Sequence, residues 1–269
     1  KSMQPSPVKE CALKHGLEIF QPKKIRDAEN VEYLRKYRPD IIIVVAFGQI
    51  LTKEILEMPP YGCVNVHASL LPKYRGAAPI QWAVMNGDAV SGVTTMRMDA
   101  GIDTGDMIEK AEVVLSDDET GGSLFERLAD EGARLCVHTM RLIEEGRAVY
   151  TRQDESKATH TGMISKQMGN IDWEQPAEAI ERLVRGLNPW PSAYTRLNGK
   201  TLKIWRAETE PGGDGKDAGK VVFVSKDQLK IQTGEGILSV LEVQMEGKRR
   251  MRTEDFLRGY EVMEDTVLS

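Results

Sequence analysis

Asn65 and His67 lie two residues apart at the end of an apolar strand predicted for residues 62–67. Because strand side chains alternate between the two faces of a sheet, the amide and the imidazole point to one side and Val66 points to the other. Pro72 then breaks regular structure in the loop that follows. Loops at strand ends carry the chemistry of many α/β proteins, so this pattern predicts a polar active site.

A second polar loop, residues 99–106, contains three Asp and two Gly and follows a strand predicted for residues 92–98. If the two strands are neighbours in a sheet, their loops lie side by side and Asp103 meets Asn65 and His67. A carboxylate holds an imidazole in one orientation, and an amide beside it can donate to a developing oxyanion. The trio therefore suits acyl transfer to an amine.

The sequence offers neither a nucleophile elbow nor a metal cluster. No Ser or Cys stands in a G-x-S-x-G setting, and the four histidines are not at metal-ligand spacing. Direct attack by the substrate is therefore favoured over a covalent enzyme intermediate, and no metal is expected.

Each member of the trio also has a purely structural interpretation. A single histidine near a strand end usually satisfies local hydrogen bonds, and Asp-Thr-Gly is a common turn in which the carboxylate bonds its own backbone. Gly76, Gly101 and Gly105 are compatible with turns that need a positive φ. Spacing alone leaves the structural and the catalytic interpretations open.

The composition is that of an ordinary soluble globular chain. Its 269 residues are 41% hydrophobic and 29% charged, which predicts one or two domains. A net charge of -5 argues against wholesale electrostatic capture of nucleic acid, so no DNA partner is expected, although a local basic face is compatible with it. Three scattered cysteines favour a reducing, cytoplasmic location. The longest strongly apolar run, residues 41–47, is far too short to cross a membrane, so no membrane partner is expected.

The first half of the chain alternates helices with apolar strands. Residues 41–46 form a continuous apolar run typical of a strand buried on both faces, and residues 62–67 follow as the next strand. This order predicts an α/β fold with a parallel, Rossmann-like sheet. Leucines at helical spacing make residues 124–145 a long amphipathic helix that closes a first domain, residues 1–150.

The second half is a different kind of sequence. Residues 151–165 are polar with little apolar periodicity, and they are interpreted as a linker. After a helix at residues 174–187, short strands separated by turn signals are predicted at residues 193–197, 200–207, 219–225, 229–232 and 236–244. Five short strands in this order predict a small β-barrel of the oligonucleotide/oligosaccharide-binding (OB) type within residues 166–269.

Residues 65–80 carry the run NVHASLLPKYRGAAPI, which resembles the signature of folate-dependent formyltransferases. Three further segments resemble the same family: residues 39–51, the loop at residues 98–107, and residues 188–194, which read NPWPSAY. Together these segments span both predicted domains. The resemblance implies a Rossmann-like formyltransferase domain followed by a linker and a small C-terminal barrel.

The resemblance also assigns the family's site residues to positions in this chain. It implies that Asn65, His67 and Asp103 are the catalytic trio, with 10-formyltetrahydrofolate as co-substrate and no metal. Asn65 and protonated His67 are expected to stabilise the oxyanion, and Asp103 to orient His67 and relay a proton. The residues expected to contact the folate or wall its pocket are Ser69, Leu70, Leu71, Pro72, Phe47, Gln49, Ile50, Leu51, Asp99 and Ala100.

Within this family, the C-terminal half of the chain indicates which molecule accepts the formyl group. Residues 203–207 and 247–251 resemble the members that formylate the α-amine of methionine esterified to initiator tRNA for translation initiation. Because phosphate contacts need clustered cations, the expected tRNA contacts are Lys73, Arg75, Lys203, Arg206, Lys248, Arg249 and Arg250. Without the resemblance, the same charge runs are typical of a solvated surface.

Two alternatives stay open at the level of sequence. The first is a formyltransferase that acts on an amino-sugar nucleotide, which shares the folate half and differs in its acceptor. The second is a catalytically silent fragment that binds folate or RNA. The family pattern has an opening strand, a helix and a second strand before residue 6, so the chain is expected to be N-terminally incomplete by roughly one and a half βα units. A monomer is expected, because no extended apolar surface pattern demands a partner.

Overall fold

The chain forms seven α-helices and twelve strands within residues 5–213 and 215–269, the part that the computed structural model describes. The helices are α1 (Pro7–Lys14), α2 (Ala28–Arg35), α3 (Lys53–Leu56), α4 (Pro79–Met85), α5 (Gly121–Glu144), α6 (Ala177–Gly186) and α7 (Thr253–Gly259). The strands are β1 (Ile42–Val44), β2 (Cys63–His67), β3 (Arg75–Gly76), β4 (Val90–Arg97), β5 (Met107–Val114), β6 (His160–Thr161), β7 (Ala193–Leu197), β8 (Lys200–Glu210), β9 (Val221–Val224), β10 (Leu229–Gln232), β11 (Ile237–Met245) and β12 (Met251–Arg252). Short 3-10 turns span Glu155–Lys157 and Lys166–Gly169.

The first sheet carries the predicted site, in the strand order β1, β2, β4, β5. β1 and β2 run parallel, as expected, whereas β4 runs antiparallel to β2, and β5 antiparallel to β4. The chain passes from β2 to β4 through β3 and α4 and enters β4 at the end of β2 that carries His67, since Thr94 pairs with His67 and Arg97 with Val64. The sheet is therefore mixed, and the predicted α/β class is confirmed.

The two faces of this sheet are covered differently. On one face Val66 and Val93 pack against α5 at Gly132, where an added Cβ would lie 3.2 Å from Cγ1 of Val66. The opposite face carries Asn65 and His67. The alternation of strand side chains thus separates a helix-packing face from a polar face.

α5 is the long helix that the leucine spacing predicts. Thr120 caps its first turn, because the Thr120 side chain accepts a hydrogen bond from the backbone of Ser123 in a capping box. Leu124 and Leu128 lie on the buried stripe that faces the sheet. The helix ends before Gly146, whose positive φ of 65° stops the helical path.

A second, antiparallel sheet forms in the C-terminal half. Its strand order is β7, β8, β11, β10, β9, with β12 paired to β11. The five strands predicted from the turn signals correspond to β7 through β11. Their buried core includes Trp173, Ile180 and Phe256. This separate antiparallel sheet confirms the predicted change of architecture after the α/β half.

Residues 151–165, predicted as a linker, contact the loop that follows β2. The short strands β3 and β6 pair in parallel. Beside them, the backbone amide of Tyr74 donates to Oγ1 of Thr159 over 2.8 Å. Strand pairing therefore ties this segment to the loop next to the predicted site.

Candidate active site

The polar face of β2 brings the predicted trio together. Asn65 and His67 are 9% and 7% exposed, and Asp103 reaches them from the loop after β4. The Nδ2 atom of Asn65 donates to Oδ1 of Asp103 over 3.4 Å, and Nδ1 of His67 lies 3.6 Å from Oδ2 of the same carboxylate. One carboxylate thus faces both an amide and an imidazole.

The imidazole of His67 is held from two sides. Its Nε2 lies 2.9 Å from the carbonyl oxygen of Tyr74, which can only accept, so Nε2 carries a hydrogen. Nδ1 then faces Asp103. A hydrogen on Nδ1 gives an imidazolium beside a carboxylate, and its loss leaves a lone pair in the same place. The ring can therefore exchange a proton on the side that faces Asn65 and Asp103.

The loop of residues 98–106 reaches the trio by an unexpected route. Because β4 is antiparallel to β2, this loop leaves the sheet at the end opposite to residues 68–76 and folds back over the polar face. The backbone amide of Arg97 donates to the carbonyl of Asp106 over 2.8 Å and closes the loop. A Cβ added to Gly105 would lie 1.8 Å from the carbonyl oxygen of Arg97, so this closure requires glycine. The two loops meet across the sheet face and not side by side at one edge.

Two of the residues expected to contact folate, Ser69 and Leu71, point into the protein instead. Leu71 is fully buried, and the Ser69 hydroxyl donates to the carbonyl of Lys73 over 2.6 Å. Oγ1 of Thr94 accepts from the Leu71 amide at 3.1 Å and donates to the Ser69 carbonyl at 2.7 Å. These inward contacts shape the loop. The remaining residues of the turn, which are half-buried, are Leu70 and Pro72.

Lys110 of β5 supports the same turn. Its Nζ donates to the carbonyl oxygen of Leu71, and burial lowers the pKa of this ammonium group. The charge-assisted hydrogen bond satisfies a carbonyl that the turn directs inward.

The segment that follows β1 supplies exposed apolar side chains. Val44 of β1 pairs with Asn65, so residues 45–51 leave the sheet beside that amide. Phe47 and Ile50 are 43% and 78% exposed. The other residues expected at the folate pocket have different surroundings. Leu51 packs on a buried apolar cluster, and the side-chain oxygen of Gln49 accepts a hydrogen bond from the Ile25 amide at 2.8 Å. The Asp99 carboxylate accepts hydrogen bonds from the Gly101 amide and the Thr104 hydroxyl, and Ala100 is exposed.

Arg75, expected to contact tRNA, is buried instead. It is 1% exposed, and its Nε and Nη2 donate to Oε1 of Gln153 at 3.0 and 2.9 Å. Nη1 and Nη2 also donate to the carboxylate of Glu155 at 2.9 and 2.8 Å. This pairing raises the pKa of Arg75 and lowers the pKa of Glu155. Because Arg75 is buried and both edges of its guanidinium are already engaged by Gln153 and Glu155, the expectation of a phosphate contact is wrong for Arg75.

Gln153 is a residue of this site that sequence analysis did not identify. Its buried Nε2 donates to the backbone carbonyls of Asp103 and Gly105 at 2.7 and 2.8 Å. A single glutamine in a polar segment carries no periodic signal, and its partner Asp103 is 50 residues away in the chain. Only the folded structure brings the two together.

Tyr74, whose carbonyl contacts His67, also lines a surface depression. Its lining residues are Lys73, Tyr74, Trp82, Asn86, Thr159, His160 and Thr161. The Tyr74 hydroxyl donates to Asp88 at 2.7 Å and accepts from Asn86 at 3.0 Å, and burial raises the pKa of Tyr74 to about 12. Tyr74 therefore connects the depression to the trio through the contact between its carbonyl and His67.

Apart from Lys73, the other basic residues expected to contact tRNA lie in the C-terminal half. They are Lys203 and Arg206 on β8 and Lys248, Arg249 and Arg250 between β11 and β12. Two of these cations lie over the ring of Trp205. The Nζ atom of Lys203 is 5.6 Å from the ring centre, and the guanidinium carbon of Arg250 is 5.1 Å from it. Nε of Arg250 also donates to Glu242 over 2.6 Å. We call these five cations and Trp205 the basic surface.

Metal-binding and membrane-spanning features were expected to be absent. Among residues 5–213 and 215–269, no group of three or more His, Cys, Asp or Glu side chains is arranged to hold a metal ion. Within the same described ranges, no helix combines the length and the apolar character needed to span a membrane.

The chain is similar along its length to known formyltransferases. Residues 1–140 match the family described as "Formyl transferase", and residues 163–261 match "Formyl transferase, C-terminal domain". The chain therefore belongs to the formyl transferase family, which confirms the resemblance of its signature. A "Methionyl-tRNA formyltransferase" of Agathobacter rectalis is 65% identical over 269 residues, covering 100% of this chain and 87% of that protein. A protein of the same name from Lachnospira eligens is 50% identical over 273 residues, with the same coverage of both chains.

A solved structure shares the fold at lower identity. It is an N-formyltransferase from Helicobacter canadensis in complex with folinic acid and dTDP-3-aminofucose. The two structures superpose with a TM-score of 0.66 at 18% identity, over 91% of this chain and 84% of that chain. At this identity the likeness shows the fold alone.

Proposed function

We propose that the chain transfers the formyl group of 10-formyltetrahydrofolate to the α-amine of initiator methionyl-tRNA, for translation initiation. One observation carries the proposal: Asn65, His67 and Asp103 converge in a chain that is 65% identical over its whole length to a methionyl-tRNA formyltransferase. We also propose that the reaction takes place in the cytoplasm, because initiator tRNA is aminoacylated there. We further propose that the chain acts as a monomer.

In the proposed reaction the amine attacks the formyl carbon directly. As the new C–N bond forms, the formyl oxygen becomes an oxyanion that the Asn65 amide and the protonated His67 imidazole stabilise. Asp103 takes the proton that the attacking amine loses and returns it to N10 of the folate as the old C–N10 bond breaks. The products are tetrahydrofolate and formylmethionyl-tRNA, so atoms and charge balance without a covalent enzyme intermediate.

The folate is proposed to lie between the trio and the segment that follows β1. Phe47 and Ile50 offer exposed apolar surface there, and pockets for such ligands have apolar walls with a few polar anchors. The loop around Asp99 supplies the polar rim. Ser69 and Leu71 act only by shaping the turn. The folinic acid bound to the Helicobacter canadensis enzyme supports a folate for this fold.

Two regions are proposed to contact the tRNA. The depression lined by Tyr74, with Lys73 in its lining, is proposed to receive the acceptor end, because the Tyr74 carbonyl contacts His67. The basic surface is proposed to bind the tRNA body, because clustered cations contact phosphates and aromatic rings stack on bases. In this scheme residues 1–150 carry out the chemistry, residues 151–165 link the two regions, and residues 166–269 bind tRNA.

A formylation assay with two acceptors tests the proposal. With 10-formyltetrahydrofolate, the purified chain is expected to formylate initiator methionyl-tRNA and to leave an amino-sugar nucleotide unmodified. The Asn65→Ala variant is the matched blank, since it lacks the proposed oxyanion donor. Formyl transfer to the amino-sugar nucleotide alone would contradict the proposal and indicate that this nucleotide is the acceptor. Binding of tRNA without turnover at saturation would instead indicate a silent RNA-binding protein.

A further inference from the structure

Gln153 lies behind Asp103, in the segment that follows α5, and is 3% exposed. Its single amide nitrogen donates to two backbone carbonyls of the Asp103 loop, and its oxygen accepts twice from Arg75. Arginine can only donate and a carbonyl can only accept, so the amide group has one allowed orientation. The side chain therefore works as a fixed spacer between Arg75 and the loop.

The same neighbours hold the carboxylate of Asp103. The backbone amide of Gly76, next to Arg75 in the chain, donates to Oδ2 of Asp103 over 2.8 Å. Asp103 itself has a φ of 56°, a left-handed conformation that residues with a side chain rarely adopt. Such a backbone persists only when its surroundings hold it. Gly76 supplies that support at the carboxylate, and Gln153 supplies it at the carbonyl.

We propose that Gln153 is a positioning residue for formyl transfer, which keeps the Asp103 carboxylate directed at Asn65 and His67. Both of its donors are already engaged with carbonyls of the loop, so it acts through Asp103 and not on the substrate. The inference rests on the proposed function, because the position of Asp103 matters for rate only if Asp103 handles the proton.

Two substitutions of Gln153 distinguish its hydrogen bonds with Arg75 from its hydrogen bonds with the Asp103 loop. Gln153→Leu removes both sets of hydrogen bonds at similar volume. Gln153→Glu keeps an acceptor for Arg75 but places an oxygen against the carbonyls of the loop, where a donor is needed. It also provides a second variant should the leucine variant not fold.

A second buried glutamine offers a matched control in the C-terminal sheet. Nε2 of Gln232 donates to the carbonyls of Thr233 and Gly236 at 2.8 and 3.3 Å. Gln232→Leu therefore removes the same kind of side chain and the same kind of hydrogen bonds. It is expected to retain the kcat of the unmodified protein.

Steady-state kinetics give the first readout. Displacing a reacting group by about 1 Å can cost about 100-fold, so both Gln153 variants are expected to lose about 10- to 100-fold in kcat, with KM for both substrates almost unchanged. In an Asp103→Ala background, Gln153→Leu is expected to add no further loss. A normal kcat in both Gln153 variants would overturn the proposal. So would a loss of kcat on adding Gln153→Leu to Asp103→Ala that is as large as the loss in the unmodified protein.

Amide hydrogen exchange gives a readout that needs no turnover. The Gly76 amide is expected to exchange about tenfold faster in Gln153→Leu, since its acceptor Asp103 is released, and to stay protected in Gln232→Leu. Unchanged protection of Gly76 in both Gln153 variants contradicts the positioning role. If the unmodified chain formylates no methionyl-tRNA, the proposed function fails, and this exchange measurement still decides whether Gln153 holds Asp103.

Discussion

The Nδ1 atom of His67 lies 3.6 Å from Oδ2 of Asp103. The other ring nitrogen lies 2.9 Å from the Tyr74 carbonyl and must carry a hydrogen, so proton exchange is confined to the edge that faces the carboxylate. Asn65 directs its amide nitrogen at the second oxygen of the same carboxylate. His67 and Asp103 therefore form the centre of the proposed chemistry.

Replacing Asp103 by asparagine keeps the side-chain shape and removes the charge and the proton acceptor. We expect kcat for formyl transfer to fall by about 10²- to 10⁴-fold, the usual contribution of general acid–base catalysis. KM for methionyl-tRNA should change little, because Asp103 does not contact the body of the tRNA in the proposed scheme. Steady-state kinetics check both values. A near-normal kcat in this variant would show that Asp103 does not take part in the proton transfer.

Removing charge from the basic surface should weaken tRNA binding without slowing the chemistry. For the double variant Lys248→Gln, Arg249→Gln we expect a higher KM for tRNA at unchanged kcat. The slope of log(kcat/KM) against log[salt] should become less steep by about 1 for each phosphate that the variant no longer neutralises. The double variant Arg134→Gln, Arg147→Gln removes two exposed positive charges away from the basic surface and controls for net charge. An equal effect of the control variant would argue against a specific surface.

Arg75→Gln should act on stability and rate and not on tRNA affinity. The change leaves Gln153 without its buried donor, and an unsatisfied buried group costs about 2 kcal/mol in the free energy of unfolding. We also expect kcat to fall, because Gln153 contacts the Asp103 loop. Urea denaturation measures the first effect, with the exposed Arg147→Gln as control, expected within about 0.5 kcal/mol of the unmodified protein. Unchanged stability with a raised KM for tRNA would restore Arg75 as a tRNA contact.

The three cysteines should react at different rates with an aromatic disulfide reagent at pH 8. Burial raises the pKa of Cys63 to about 11 and also raises the pKa of Cys136, and a higher pKa leaves less reactive thiolate. We expect exposed Cys11 to react first and Cys63 only after unfolding. The unfolded chain loses its Cys63 proton near pH 8.5, before the native chain does, so this thiol should lower stability as the pH rises from about 8.5 towards 11. Rapid labelling of native Cys63 would contradict its burial.

Local pattern was enough to predict the strands and the shared face of Asn65 and His67. Residues 62–67 correspond to β2, and the turn-separated runs of the second half correspond to β7 through β11. Alternation along a strand is a local property, so it can be derived from sequence without knowledge of the neighbouring strands. The direction of β4 could not be predicted in this way, because it depends on the end of the sheet at which the chain re-enters after α4, and the alternation along a strand does not specify that end.

The direction of the loop side chains could not be predicted either. Arg75 and Lys73 are both cations in one polar loop, yet Arg75 is buried and Lys73 is exposed. The difference comes from Gln153 and Glu155, whose positions the local sequence around Arg75 does not encode. Ser69 turns inward for a similar reason, because the Thr94 side chain of the neighbouring strand bonds its carbonyl.

The single-turnover rate of formyl transfer in the His67→Gln variant tests the central claim most directly. With 10-formyltetrahydrofolate saturating and methionyl-tRNA already bound, the rate reports chemistry without substrate binding or product release. We predict that the rate falls by at least about 100-fold, while the variant still binds methionyl-tRNA as tightly as the unmodified chain. A rate close to that of the unmodified chain would contradict the claim that His67, with Asn65 and Asp103, carries out formyl transfer.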